Sequence, residues 1–344
     1  MKLYKVLLIL VSVYLTHGCA KAPDITTMTI VNSIPLVGDP LDMDVAGNTI
    51  FVAEYRLGIS LWHRTTGELL QRFDGLVELD EEDDVEKKMD VLNVSLTRYH
   101  APFNILLITD RTRTHRIMAF KYDEKSNSLD FIRDYQGATN SLRDIVFEAI
   151  PGDNLTFRTF WGYFRMSRNN IQQGRIISPL YSHEMQADST VPNAINSIVL
   201  APDHILTAMG QRGVYITNRA LTENVEFNTP VSAQDLVLNN NTLYVADSQG
   251  GLLVIDVSDM SEPKLIQTIQ IEGSATSIDM TGRYLAVGTT NAGVFLYSID
   301  SPVAPKLLAG LPNSHVGYIN KLMFYNNELF IASRDLGIIR IRIN

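Results

Sequence analysis

Residues Thr242–Ile266 read TLYVADSQGGLLVIDVSDMSEPKLI. Two apolar, β-branched runs, TLYVA and LLVIDV, flank a polar turn that ends in Gly250-Gly251. A link bounded by Pro263 leads into a third run, KLI. Period-2 apolar character with no helical periodicity predicts a hairpin followed by a third strand. The glycine has a physical reason, since a hairpin of this length needs a residue at positive φ or a G1-type bulge.

The pattern returns along the chain. LAVGTTNAGVFLYSID stands around Gly293, LFIASRDLGIIRIRI around Gly337, LTAMGQRGVYITN around Gly213 and IFVAEYRLGISLWHR around Gly58. From Gly213 onward the glycines stand about 40 residues apart, a spacing typical of repeat arrays. Two looser copies fill the interval from Gly58 to Gly213. One is NILLITDRTRTHRIMAFKYD, with its turn near His115, and the other is LTFRTFWGYF…GRIISPLY, with its turn ending near Gly174.

Ahead of each hairpin lies a further short strand: 41–45, 92–96, 142–147, 196–200, 234–238, 276–280 and 320–324. Each unit therefore has four strands, and four-stranded sheets repeated radially make a β-propeller. The chain stops after the third strand of its last unit, whereas Met28–Val37 (MTIVNSIPLV) is a strand without a unit. The expected fold is all-β: a seven-bladed β-propeller over 28–344, closed by an N-terminal strand (28–37) that completes the last blade and removes an exposed edge.

At GGLLVIDVSDMSEPKLI the chain resembles the LVIVD repeat, a bacterial family of propeller-forming repeats often found in exported proteins. The fifth and sixth units match well, the first and last moderately, the second to fourth poorly. The resemblance implies architecture and carries no assigned chemistry.

The N-terminus reads as an address. Lys2 and Lys5, an apolar run from Val6 to Leu15 and Gly18 form the three parts of an export signal over 1–18, and the run is too short to span a membrane. Leu15-Thr16-His17-Gly18-Cys19 resembles the lipobox of bacterial lipoproteins, with Leu15 one place early. That resemblance implies diacylglyceryl modification of Cys19, the only cysteine, and 19–27 then forms the lipidated residue and tether. Ala20 after the cysteine points to the outer membrane, with the lipid as sole membrane anchor; the alternative is a soluble periplasmic or secreted protein. A formal charge of -9 argues against nucleic acid, whose phosphates require a basic face. A monomer is expected.

Three sets of residues are candidates for function. Aligned on the hairpin, Asp42, Asp144 and Asp235 share one position on the innermost strands, with Ser197, Ser277 and Lys321 as equivalents. A carboxylate ring there would suit calcium or another divalent cation; the alternative use of each Asp is to bond backbone amides in its own turn. The acidic insertion Glu78–Lys88 reads as a solvated surface loop. The third set is basic and aromatic: Arg111, Arg113, His115 and Arg116 on one unit, Arg158, Trp161, Tyr163, Arg165 and Arg168 on the next. Arg, Trp and Tyr dominate binding hot spots, so this set predicts a face for an envelope protein or a surface glycan.

No HExxH, GxSxG or phosphate-cradling glycine loop occurs. The sequence therefore favours a non-enzymatic binding scaffold without cofactor. The competing reading is a metal-dependent propeller hydrolase of lactonase type, with a cation in the channel.

Overall fold

The computed structural model describes residues 26–344 apart from 81–84, 111–115, 136–143, 150–155, 162–164, 168–170, 178–179, 186–189, 193–194 and 220–221. It is an all-β fold of four-stranded antiparallel sheets, most of them built from strands consecutive in the chain. The first sheet holds Asp39–Ala46, Thr49–Tyr55, Gly58–His63 and Leu69–Phe73. The second holds Val94–His100, Ile105–Asp110, Arg116–Asp123 and Ser128–Tyr135, and the third Ile145–Ala149, Thr156–Trp161, Ile171–Ile177 and Leu180–Met185. Next come Ser197–Leu200, His204–Ala208, Val214–Asn218 and Asn224–Phe227. The fifth sheet, at the quoted stretch, is Asp235–Asn239, Thr242–Ala246, Leu252–Asp256 and Lys264–Ile269; the sixth is Ala275–Thr281, Tyr284–Thr289, Gly293–Ser298 and Lys306–Pro312. The last takes Ile319–Tyr325, Glu328–Ser333 and Gly337–Ile343 from the C-terminus and Met28–Ile34 from the N-terminus.

The register explains the glycine of each hairpin. Gly251 has φ 81°, and a Cβ there would stand 2.4 Å from the carbonyl oxygen of Ile269 on the outer strand. The same geometry holds at Gly337, φ 80°, where the obstructing carbonyl, 2.1 Å away, belongs to Ile34. The N-terminal strand thus occupies in the last sheet the place that Lys264–Ile269 occupies in the fifth. It runs antiparallel to the last strand, Met28 opposite Ile343 and Ile34 opposite Ile338.

Sheets stack face to face, so their middle strands are buried on both sides and carry unbroken apolar runs where a half-exposed strand would alternate. Every residue of Thr242–Ala246 and of Glu328–Ser333 is buried. The outer strand Lys264–Ile269 is exposed over most of its length. Apolar clusters join successive sheets. One joins Phe51, Leu61 and Ile59 to Leu106, Met118 and Phe120. Another joins Ile331 and Ile339 of the last sheet to Leu296 of the sixth. A further one packs Phe330, Ile338 and Ile34 of the last sheet on Met43, Ile50 and Val52 of the first.

The structure redraws two sequence expectations. The acidic insertion is a two-stranded hairpin, Gly75–Asp80 paired with Val85–Asp90, with 81–84 outside the described residues. Leu76, Val77 and Leu79 supply strand propensity that the dense charge masks in the sequence. Gly174 lies within a strand opposite Phe157 and does not end the turn. The third unit also carries a second small sheet, Arg165–Ser167 with Thr190–Pro192.

Candidate functional site

The innermost strand of each sheet contributes to one central cavity of about 220 Å³, lined by Asp44, Arg98, Asp144, Ser197, Asp235, Asp279 and Lys321 among others. A second cavity of about 120 Å³ lies against the first. Arg98, Asp144, Asp235 and Lys321 line both, so they form the partition between them. The strands reach this point through a repeated irregularity. Register shifts between Pro40 and Asp42, Val94 and Leu96, Ala275 and Ser277, and Ile319 and Lys321 each insert one extra residue. Such a bulge re-aims the side chains beside it.

The three aligned aspartates do come together here, and so do their equivalents. Asp144 and Asp235 each bond two backbone amides, and Asp42 bonds one. Asp144 accepts from Ile145 N at 2.9 Å in its own strand and from Ile198 N at 2.8 Å in the next sheet. Asp235 does the same with Leu236 N (3.0 Å) and Ile278 N (3.2 Å), while Asp42 accepts from Thr97 N at 3.0 Å. Ser277 continues the scheme, its Oγ accepting from Leu322 N at 3.1 Å. Two residues further along the strand, Asp44 accepts from Tyr99 N (2.7 Å) and Asp279 from Phe324 N (2.6 Å). The amide use expected within each turn thus extends across sheets: every such residue clasps its own strand to the following one.

Two cations stand among these carboxylates. Arg98 Nη1 lies 2.5 Å from Asp42 Oδ2 and Nη2 lies 2.8 Å from Asp144 Oδ1, so one guanidinium bridges two sheets. Lys321 Nζ lies 3.2 Å from Asp235 Oδ2. Burial alone would depress the Lys321 ammonium, but Asp235 and the further carboxylates outweigh it and hold its pKa above the ordinary lysine value. Burial pushes Asp42 up against the opposing pull of Arg98. It also pushes Asp44 up to about 6 and raises Asp279. Among the described residues neither of those carboxylates has a direct ion-pair partner, and both accept backbone amides.

Arg98, Asp44 and Asp279 escaped the sequence reading. Asp44 and Asp279 sit two residues after the aligned position, in DMDV and SIDM, a spacing that keeps both on the same strand face and was therefore available. Arg98 occupies the equivalent place in the second unit, within LTRYH. Among the described residues no group of three or more His, Cys, Asp or Glu is placed to hold a metal ion.

Of the basic and aromatic set, Arg111, Arg113, His115, Tyr163 and Arg168 lie outside the described residues, as does Cys19. The backbone places Arg116 at the start of a strand opposite Asp110, and Arg165 opposite Pro192 in the small sheet. Arg158 and Trp161 fall in Thr156–Trp161, a strand flanked on both sides within its sheet.

Comparison with known proteins agrees with this geometry. Residues 231–270, which contain the quoted stretch, match the LVIVD repeat. No curated protein matches the chain. Among solved structures, the WD40 repeats of RRP9 superpose with TM-score 0.66 at 13% identity, covering 92% of this chain and 97% of that one. U3-55K gives 0.65 at 13% identity, covering 91% and 97%. A computationally designed protein, Ika8, gives 0.59 at 10%, covering 90% and 98%. At these identities the likeness is one of fold. The chain is a β-propeller carrying an LVIVD repeat.

Proposed function

We propose that this protein is an exported binding scaffold of the bacterial envelope, built as a closed seven-bladed propeller and tethered to the outer membrane through a lipidated Cys19. The packing of the last sheet on the first, together with the N-terminal strand beside Gly337–Ile343, supports closure. The repeat at 231–270 and the propeller-like fold are consistent with a scaffold, whose function would lie in sites carried on that framework. The observation that carries the reading is the channel centre: Arg98 and Lys321 spend their charge on Asp42, Asp144 and Asp235. The groups that an enzyme of this shape would turn on a metal are here engaged with one another. Binding then falls to the faces and mouths of the propeller, with an envelope protein or a surface glycan as partner.

Crosslinking in cells followed by affinity capture tests this, comparing wild type with Arg165→Glu and Trp161→Ala. The scaffold reading expects one stoichiometric partner, lost in those variants. Labelling with radioactive palmitate tests the anchor, with incorporation expected in the wild type and none in Cys19→Ala.

The metal-dependent hydrolase remains the competing proposal. It requires calcium or another divalent cation at Asp42, Asp144 and Asp235, where the cation would compete with Arg98 for two of its three ligands. Metal analysis of the purified protein, showing a tightly held cation whose removal abolishes an esterase or lactonase activity, would favour it over the scaffold.

A further inference from the structure

The smaller cavity has a lining unlike that of its neighbour. Immediately before the aligned position, Ser95, Asn196, Gln234, Thr276 and Asn320 from five different sheets surround it, with Arg98 and Lys321 in its wall. Uncharged polar side chains thus recur at one register position around the channel. Several have their amide nitrogens fixed by protein. Asn320 Nδ2 donates to Pro40 O at 2.8 Å, and Gln234 Nε2 donates to Ser232 Oγ at 2.8 Å. Fixing the nitrogen orients each carboxamide and leaves its carbonyl oxygen as an acceptor. Among the described residues, Thr276 Oγ1 is buried without a hydrogen-bond partner, a state that is unfavourable unless something completes it. Lys321 has three N–H donors and, among the described residues, a single carboxylate contact, Asp235.

We infer that this polar cavity is a binding site for one uncharged sugar unit of a glycan, a reading that rests on the scaffold function proposed above and names its ligand class. Hydroxyl groups both donate and accept, which suits a wall offering carboxamide oxygens, a hydroxyl and ammonium protons together. The charges in the wall select against acids: three carboxylates face two cations there, so an anionic ligand would meet net negative charge. The cavity of about 120 Å³ is several times the roughly 10–15 Å³ that a single water needs, so it can admit a group larger than water.

Saturation-transfer NMR on the purified full-length protein tests the site, with glucose, galactose and N-acetylglucosamine as neutral probes and glucuronic acid as the acidic control. At least one neutral sugar is expected to receive saturation, and glucuronic acid none. Thr276→Val, which keeps the side-chain shape, is expected to weaken binding about tenfold, and Thr276→Met, which fills the cavity, to abolish it. Circular dichroism melting of both variants establishes that they fold. Transfer to no neutral sugar, or transfer that survives in a folded Thr276→Met, overturns the inference. A partner captured through Arg165 alongside no sugar binding would leave the scaffold reading standing and this one refuted. Sugar binding without any captured partner would support the site while setting aside a protein partner.

Discussion

Around the channel, the stretch from Asp42 to Asp144 and the stretch from Asp235 to Lys321 hold equivalent positions by different chemistry. In the first, a guanidinium joins two carboxylates that already accept backbone amides. In the second, a carboxylate, a serine and a lysine follow one another, and the middle clasp is neutral, Ser277 Oγ to Leu322 N. The element common to both is an acceptor reaching the amide of the next strand. Charge is an addition to it. Only the acceptor is needed to satisfy an amide that a bulged strand would otherwise leave buried and unpaired, so serine serves where aspartate does. Where aspartate is used, its charge must then be compensated, and Arg98 and Lys321 do so.

That contrast predicts graded costs. Arg98→Met leaves both Asp42 and Asp144 without a countercharge and is expected to cost about 3–5 kcal/mol, measured by urea unfolding. Adding Asp42→Asn and Asp144→Asn should recover part of the loss. If Arg98→Met alone proves neutral, the ionic half is no different from the neutral one. Lys321→Met should cost less, about 1–3 kcal/mol, because Asp235 keeps the amides of Leu236 and Ile278 and the Ser277 hydroxyl. Ser277→Ala removes one neutral acceptor and is expected to cost about 1–2 kcal/mol; a loss equal to that of Arg98→Met would erase the distinction between the halves.

The smallest effect concerns pH. Asp44 is pushed up to about 6 by burial, above its ordinary 3.8, with Arg98 and the amides of Tyr99 and Val45 pulling it down and Asp42 adding to the rise. A carboxyl that holds its proton more tightly folded than unfolded stabilises the fold fully below the lower value. That contribution is lost as pH rises through the upper value. Between about pH 7 and about pH 5, wild type should therefore gain stability relative to Asp44→Asn. Solvent reaches this half-buried side chain through the cavity, so the gain should be modest. Parallel pH profiles of the two proteins would show no Asp44 contribution.

The repeat was legible because a strand's period and a turn's glycine are local properties. Gly251 and Gly337 announce themselves, and the apolar runs around them give the sheets. The position shared by Asp42, Asp144 and Asp235 was legible for the same reason, since alignment on the hairpin carries register inward along each strand. Less was visible in the third unit, where the strand Arg165–Ser167 stands in the sequence between Phe157 and its partner Gly174, and in the acidic insertion, where charge obscures a hairpin.

What could not be read along the chain was partnership. Arg98 meets Asp42 of the preceding sheet and Asp144 of the following one, contacts between strands that local sequence leaves unpaired. The N-terminal strand was expected beside the C-terminal one, yet the carbonyl of Ile34 against Gly337 and its side chain's packing with Met43 depend on how the last sheet meets the first. Spacing along a strand specifies where a side chain points within its own sheet. Which group it finds there is set by how the sheets pack, because buried charge is tolerated only where packing brings it a partner.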